Sequence, residues 1–282
     1  MLISPRPGVD RENLRRNLRF VAQDVGNLHG GGPHDSYDRL VAYLAWTTNA
    51  VRMLGKQISD ADLQRLVFTR TYQTISGGFA HLADRTHQRV ANALLNLELE
   101  QRTEDFTAAV EALDAQIDRW NSRTALLVAD TSFHIQHPKK IREVDFACLR
   151  DFGSANLRLL FPMMVIDELD SLKRSKDRHT KWRAAHTLGV LDESLRQPDI
   201  SSDESGARLG GGIPMEVLFD PHNHHRLPIP DDEIVDRALA AQALAGGPLL
   251  FLTYDTGQSM RARNVGLDVI KLLSSVDTDP EP

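Results

Sequence analysis

The chain has 282 residues, 41% of them hydrophobic, a formal net charge of -6 and a single cysteine, Cys148. That length holds one large domain or two ordinary ones. The charge excludes a global positive field aimed at nucleic acid, the lone thiol excludes an intramolecular disulfide framework, and no apolar run approaches the roughly 20 residues of a membrane helix. The opening MLISPRPGVD lacks the apolar core of a signal peptide. The expectation is a soluble protein of the reducing cytoplasm.

Residues 1–122 read as an all-helical region, helical from about residue 9. In 36–55, apolar residues at Leu40, Tyr43, Leu44, Ala50, Val51 and Leu54 follow helical spacing, with Gly55 as the stop. Ser59 and Asp62 resemble a capping box. HGGGP at 29–33 predicts a loop and Gly77-Gly78 a break. From Asp84 to about Arg119 there is neither Pro nor Gly. Val90, Leu94, Leu97 and, after a shift, Phe106, Val110, Leu113 and Ile117 are expected on one face of a hairpin arm or coiled-coil stem. Such helices suit substrate positioning, homo-oligomerisation or a protein partner.

At residue 123 the texture changes. Strands are expected at 124–130, 157–161, 215–219, 249–253 and 269–273. Helices are expected at about 143–152 (weakly), after Pro162, from about Arg178 to Arg196, from Asp232 to Ala245, and briefly after Asp255. Alternation of strands and helices implies a parallel sheet covered on both faces, a three-layer α/β/α domain over 123–273. The segment 198–212 is turn-rich, and 274–282 is expected to be a disordered tail.

Four acids stand out: Asp130, Glu168, Asp231 and Asp255. Asp130 and Asp255 close short apolar strands, and side chains just past the carboxyl ends of parallel strands point into one crevice. Carboxylates gathered there repel one another unless a cation neutralises them. Oxygen-only donors suit Mg²⁺ or Mn²⁺, and one or two such ions activate water for phosphodiester hydrolysis. A lone Asp after a strand is more often a helix cap or turn residue, and Asp231 has that plainer reading too. Ser132 and Thr253 are placed to hydrogen-bond the carboxylates or a scissile phosphate, and Asp232 and Asp236 are near enough in sequence to substitute.

The same residues resemble the PIN nuclease domain, in family order. Asp130-Thr131-Ser132 follows the first strand; FPMMVIDELDSLK supplies Glu168; PDDEIVDRAL supplies Asp231 before Ile234; LTYD supplies Thr253 and Asp255. The match covers about 124–273, and the longer insert before Asp231 is similar to that of larger single-polypeptide members. The resemblance implies a metal-dependent nuclease of single-stranded RNA, with the four acids as catalytic and metal-binding residues. A catalytically silent PIN-like binding module and a toxin of a toxin–antitoxin pair are the alternatives. A haloacid-dehalogenase-type phosphotransferase would carry a second Asp where this chain has Ser132.

A negative cluster repels a phosphate backbone, so flanking cations are needed. Lys173, Arg174, Lys176, Arg178, Lys181 and Arg183 form a basic run soon after Glu168. Trp182 within it is either a base-stacking residue or core. Arg261 and Arg263 are further phosphate-contact candidates. His222, His224 and His225 match no zinc spacing and read as a polar loop. Cys148 reads as core, and Gly210–Gly212 as a turn.

Overall fold

A computed structural model describes residues 3–31, 35–121, 123–152, 155–196, 207–209, 213–220 and 224–273. Gly210–Gly212, His222, the tail from 274 and most of 198–212 lie outside the described residues. The chain divides into two compact units, Met1–Arg119 and Trp120–Pro282. No described helix is long and apolar enough to cross a membrane.

The first unit is helical: α1 (Arg11–Gly31), α2 (Ser36–Leu54), α3 (Asp60–Leu66), α4 (Arg70–Gly77), α5 (Phe79–Leu82), a 3-10 turn at Arg85–His87, and α6 (Gln88–Arg119). Gly55 ends α2 as expected, its N–H reaching the Val51 carbonyl. α1 runs on through His29 to Gly31, so residues 29–31 of the expected loop are helical, and 32–33 lie outside the described residues. Ser59 caps α3 by accepting from the Asp62 N–H, but the Asp62 carboxylate does not take the Ser59 backbone N–H, which bonds the Ser4 carbonyl. The carboxylate takes the Ser4 N–H (2.8 Å) and the Ser59 hydroxyl (2.9 Å) instead, tying the N-terminal segment down.

α6 is neither a free arm nor a stem; α1 and α2 pack along it. In its first half the buried face is Ala91, Leu95, Glu98 and Leu99, while Val90 and Leu97 are 62% and 51% exposed. The expected face is therefore one residue out of phase, a rotation of about 100°. A buried ion pair caused the misreading. Glu98 accepts from the Tyr43 hydroxyl and Thr69 Oγ1, both at 2.9 Å, and lies 3.2 Å from Arg102. Arg102 in turn donates to the Arg65 and Leu66 carbonyls at the end of α3 (2.9 and 3.1 Å), which have no partner within their own helix.

The second unit comprises β1 (Thr124–Ala129), α7 (Thr131–Gln136), β2 (Asn156–Pro162), α8 (Met163–Leu172), α9 (Arg178–Arg196), β3 (Ala207–Arg208), β4 (Pro214–Leu218), α10 (Pro230–Leu244), β5 (Leu249–Thr253), α11 (Thr256–Asn264) and β6 (Asp268–Lys271). Sheet order is β3-β4-β2-β1-β5-β6. All pairs are parallel except β3 with β4. The two-residue β3 was not expected. The helix expected near 143–152 is instead two 3-10 turns, Ile141–Glu143 and Phe146–Leu149. Cys148 is exposed there, its thiol donating to Asp145 (2.9 Å), rather than core; Phe146 takes the buried position.

Every residue of β1 and β5 is buried, as a sheet covered on both faces requires. From β1 the chain steps to β2 and then β4 on one side, and returns to β5 on the other. The sheet reverses direction at β1, and the crevice past the carboxyl ends of β1 and β5 lies at that switch point.

Removing Glu98 leaves the buried Arg102 with only the part-exposed Asp105 (2.7 Å) as an acidic partner. Glu98→Ala is expected to destabilise the protein by about 3–5 kcal/mol, against about 1 kcal/mol for Tyr43→Phe. Urea denaturation followed by circular dichroism measures both; equal small losses would refute the account.

Candidate active site

Asp130 follows β1, its own N–H still bonded to the Leu252 carbonyl of the neighbouring strand (3.1 Å). It caps α7: Oδ1 accepts from the Phe133 N–H (2.9 Å) and Ser132 Oγ (2.7 Å), and Oδ2 accepts from Thr253 Oγ1 (2.6 Å). Ser132 and Thr253 thus hold Asp130. Thr253 also accepts the Asp255 N–H (2.8 Å) and Ser132 the Tyr254 N–H (2.9 Å), stitching the ends of β1 and β5 together. Asp130 is 4% exposed. Burial pushes its carboxyl up to about 6, against the pull of the Thr253, Ser132 and Phe133 hydrogen bonds, and the nearby Asp255 charge adds to the rise.

Asp255 caps α11, accepting from the Gln258 N–H (2.7 Å). A Cβ on Gly257 would sit 3.2 Å from the Asp255 carboxylate, so a side chain there would crowd it. Asp231 lies in the first turn of α10 without capping it; Ile229 is the cap residue and Pro230 opens the helix. Its carboxylate therefore has no duty to its own helix. Burial raises its pKa first, Arg261 opposes, and Asp255 and Asp232 raise it further. Gln258 on α11 donates to the Asp231 carbonyl (3.2 Å), linking the two helices. Glu168, on α8, accepts a short hydrogen bond from the Thr131 hydroxyl. Its pKa is raised by burial, lowered by Thr131 and raised again by Asp231.

The four acids therefore form an electrostatically linked series: Asp130 with Asp255, Asp255 with Asp231, Asp231 with Glu168. They are not in mutual contact. Among the described residues the one set of three ligand types within 4.8 Å of one another is His224, Glu233 and Asp236. A cation already serves that set: Arg237 lies 3.4 Å from Glu233 and bonds Asp236. Asp236 thus pairs with arginine rather than joining the four. The four supply only oxygen, with no thiolate or imidazole. Oxygen-only donors are the kind a hard divalent ion prefers.

Glu233 was not singled out in the sequence. It is fully buried and accepts from the Leu227 N–H (2.8 Å), while the His224 ring lies 2.7 Å away. The carboxylate pins the segment before α10 to the helix that carries Asp231. Thr131 and Gln258 were also missed as site residues; a hydroxyl or amide that positions a carboxylate leaves no periodic signature.

The basic residues separate into groups. Arg183 is buried and donates to the His134 and Lys139 carbonyls (3.1 and 2.9 Å), so it is framework rather than strand-binding. Lys173 pairs with Asp170 (2.6 Å). Arg261 stands 3.8 Å from Asp231 and 3.5 Å from Asp232, inside the acidic site. Arg174, Lys176, Arg178, Lys181 and Arg263 are exposed. Trp182 is 49% exposed and stacks on His186 (5.0 Å, 8°), with Lys140 Nζ 5.9 Å from its ring centre; it is not core. Arg183 fastens this part of α9 to α7, which Asp130 caps and which is about 9 Å long.

No curated protein matches the chain. The PIN domain family matches residues 127–272, from within β1 to just past β6, about half of the sequence and all four acids. That span, on a parallel sheet with acids at its carboxyl edge, shows that the chain belongs to the PIN domain family, a nuclease-like fold.

Proposed function

We propose that this protein is a divalent-metal-dependent nuclease that hydrolyses phosphodiester bonds in single-stranded RNA, acting in the cytoplasm. The observation that carries this reading is Asp130, a buried carboxyl at the end of β1 that is raised to about 6 and stands first in a linked series running through Asp255 and Asp231 to Glu168. Such clustering favours either protons or a cation.

Asp130, Asp231, Asp255 and Glu168 would hold Mg²⁺ or Mn²⁺, which supplies an activated water and neutralises charge on the attacked phosphate. Ser132 and Thr253 fix the Asp130 carboxylate. Thr131 orients Glu168, placing its free oxygen to direct the attacking water. Arg261, between Asp231 and Asp232, offers a cation to the phosphate. Arg174, Lys176, Arg178, Lys181 and Arg263 provide a path for the strand backbone, and Trp182 a face for a base.

Cleavage of a labelled single-stranded RNA should require added Mn²⁺ or Mg²⁺, and Asp130→Asn or Asp255→Asn should abolish it. Activity retained by either variant would overturn the assignment. RNA binding without cleavage by the wild type at any metal concentration would leave a binding module.

The raised Asp130 pKa has a signed consequence for stability. The folded state holds this proton more tightly than the unfolded one, so the contribution is full below about 4 and lost as pH rises through about 6. In EDTA, the stability of Asp130→Asn relative to wild type should therefore improve between pH 4 and pH 7, by up to about 3 kcal/mol. Adding Mg²⁺ at pH 7 should then raise the wild-type melting temperature and leave the variant unmoved. Thermal denaturation reads both; a gap independent of pH would contradict the burial argument.

For the strand path, Arg178→Ala with Lys181→Ala should weaken RNA binding and reduce the slope of log affinity against log salt by about 0.7 per lost phosphate contact. An unchanged slope would place the strand elsewhere.

A further inference from the structure

Beside Glu168 the surface opens into a cleft of about 420 Å³ lined by Thr131, Met164, Asp167, Glu168, Ser171 and Leu172. Small-ligand pockets start at about 300 Å³, and a single nucleobase with its ribose fits such a space. Thr131 and Glu168 belong both to this cleft and to the acidic site, and they bond each other. Whatever occupies the cleft is therefore next to the acidic edge.

We propose that the cleft is a base-binding subsite that takes a guanine of the bound RNA. The inference rests on the nuclease reading for the presence of a strand at the acidic edge. Two carboxylates in the wall, Asp167 and Glu168, turn away a phosphate, so a base rather than the backbone enters. Met164 and Leu172 offer apolar contact to its faces.

The edge of the base is read by acceptors. Asp167 Oδ2 is held by Arg226 Nη1 (2.6 Å), and Arg226 is braced through Nε by Asp220 (2.6 Å). The second oxygen, Oδ1, has no partner among the described residues. Ser171 spends its hydroxyl hydrogen on the Asp167 carbonyl (3.0 Å), so its oxygen is left to accept. A wall of acceptors selects a base with adjacent donors. Guanine presents N1–H and N2–H side by side. Uracil presents one N–H between two carbonyls, which would face the carboxylates. Adenine and cytosine offer one amino group each. A good bidentate contact discriminates by about tenfold or more.

The test compares a labelled nine-nucleotide oligouridine with the same oligonucleotide carrying one central guanosine. Affinities are read by fluorescence anisotropy with the full-length protein in Ca²⁺, and cleavage positions are mapped in Mn²⁺. The guanosine oligonucleotide should bind about tenfold tighter, and that ratio should fall toward one in Asp167→Asn. Ser171→Trp, at an exposed position, should fill the cleft and have the same effect without touching the Arg226 brace. Equal affinities in the wild type, or a ratio that survives both variants, would overturn the subsite. A tenfold ratio without cleavage in Mn²⁺ supports the subsite and defeats the nuclease reading. Cleavage at every phosphate with a ratio of one keeps the nuclease reading and overturns the subsite.

Discussion

Like charges facing one another across a strand switch point are the constraint around which the second unit is organised. Left alone, carboxylates at the ends of β1 and β5, within α8 and at the start of α10 would drift toward solvent. The fold prevents this by tying three of them to backbone or hydroxyl donors and setting Arg261 beside the fourth, Asp231. Asp130 is fixed by Phe133, Ser132 and Thr253; Asp255 by Gln258; Glu168 by Thr131. The fully buried β1 and β5 are the rigid base for these ties. Burial first, and the neighbouring acids after it, make Asp130, Glu168 and Asp231 hold protons more tightly than in water.

Two hydroxyls do more here than their size suggests. Ser132 and Thr253 contact the same carboxylate and each other's strand ends, so Asp130 cannot turn without disturbing β5. The site is thus coupled to the sheet rather than hung on a loop. The helical unit manages its own buried charge differently. Glu98 and Arg102 pair with each other, Tyr43 and Thr69 donate to Glu98, and Asp105 also faces Arg102. One unit cancels its charge internally; the other leaves it for something else to cancel.

That difference also explains what the sequence disclosed. The five parallel strands were legible because a sheet buried on both faces demands continuous apolar runs, and LLVA and LLFLT supply them. α9 was legible to its ends, Arg178 and Arg196. The face of α6 was misread because a buried ion pair sits where periodicity expects leucine. Cys148 was misread because a 3-10 turn exposes it while burying its neighbour Phe146. β3 is too short to carry any pattern. At the site, the acids and their two supporting hydroxyls could be named in advance. Arg183 was assigned to the wrong task, since its donors serve carbonyls of a neighbouring segment that spacing along the chain does not reveal. Glu233, Thr131 and Gln258 act through other residues and escaped notice.

The Glu233 clamp bears on how this chain can change length. Its partners, Leu227 and His224, are only six and nine residues away, so the start of α10 is set by a local knot. The connection between α9 and β4 lies upstream of that knot in the chain. Insertions or deletions there would be absorbed before reaching Asp231, leaving this stretch free to diversify while the geometry downstream is kept.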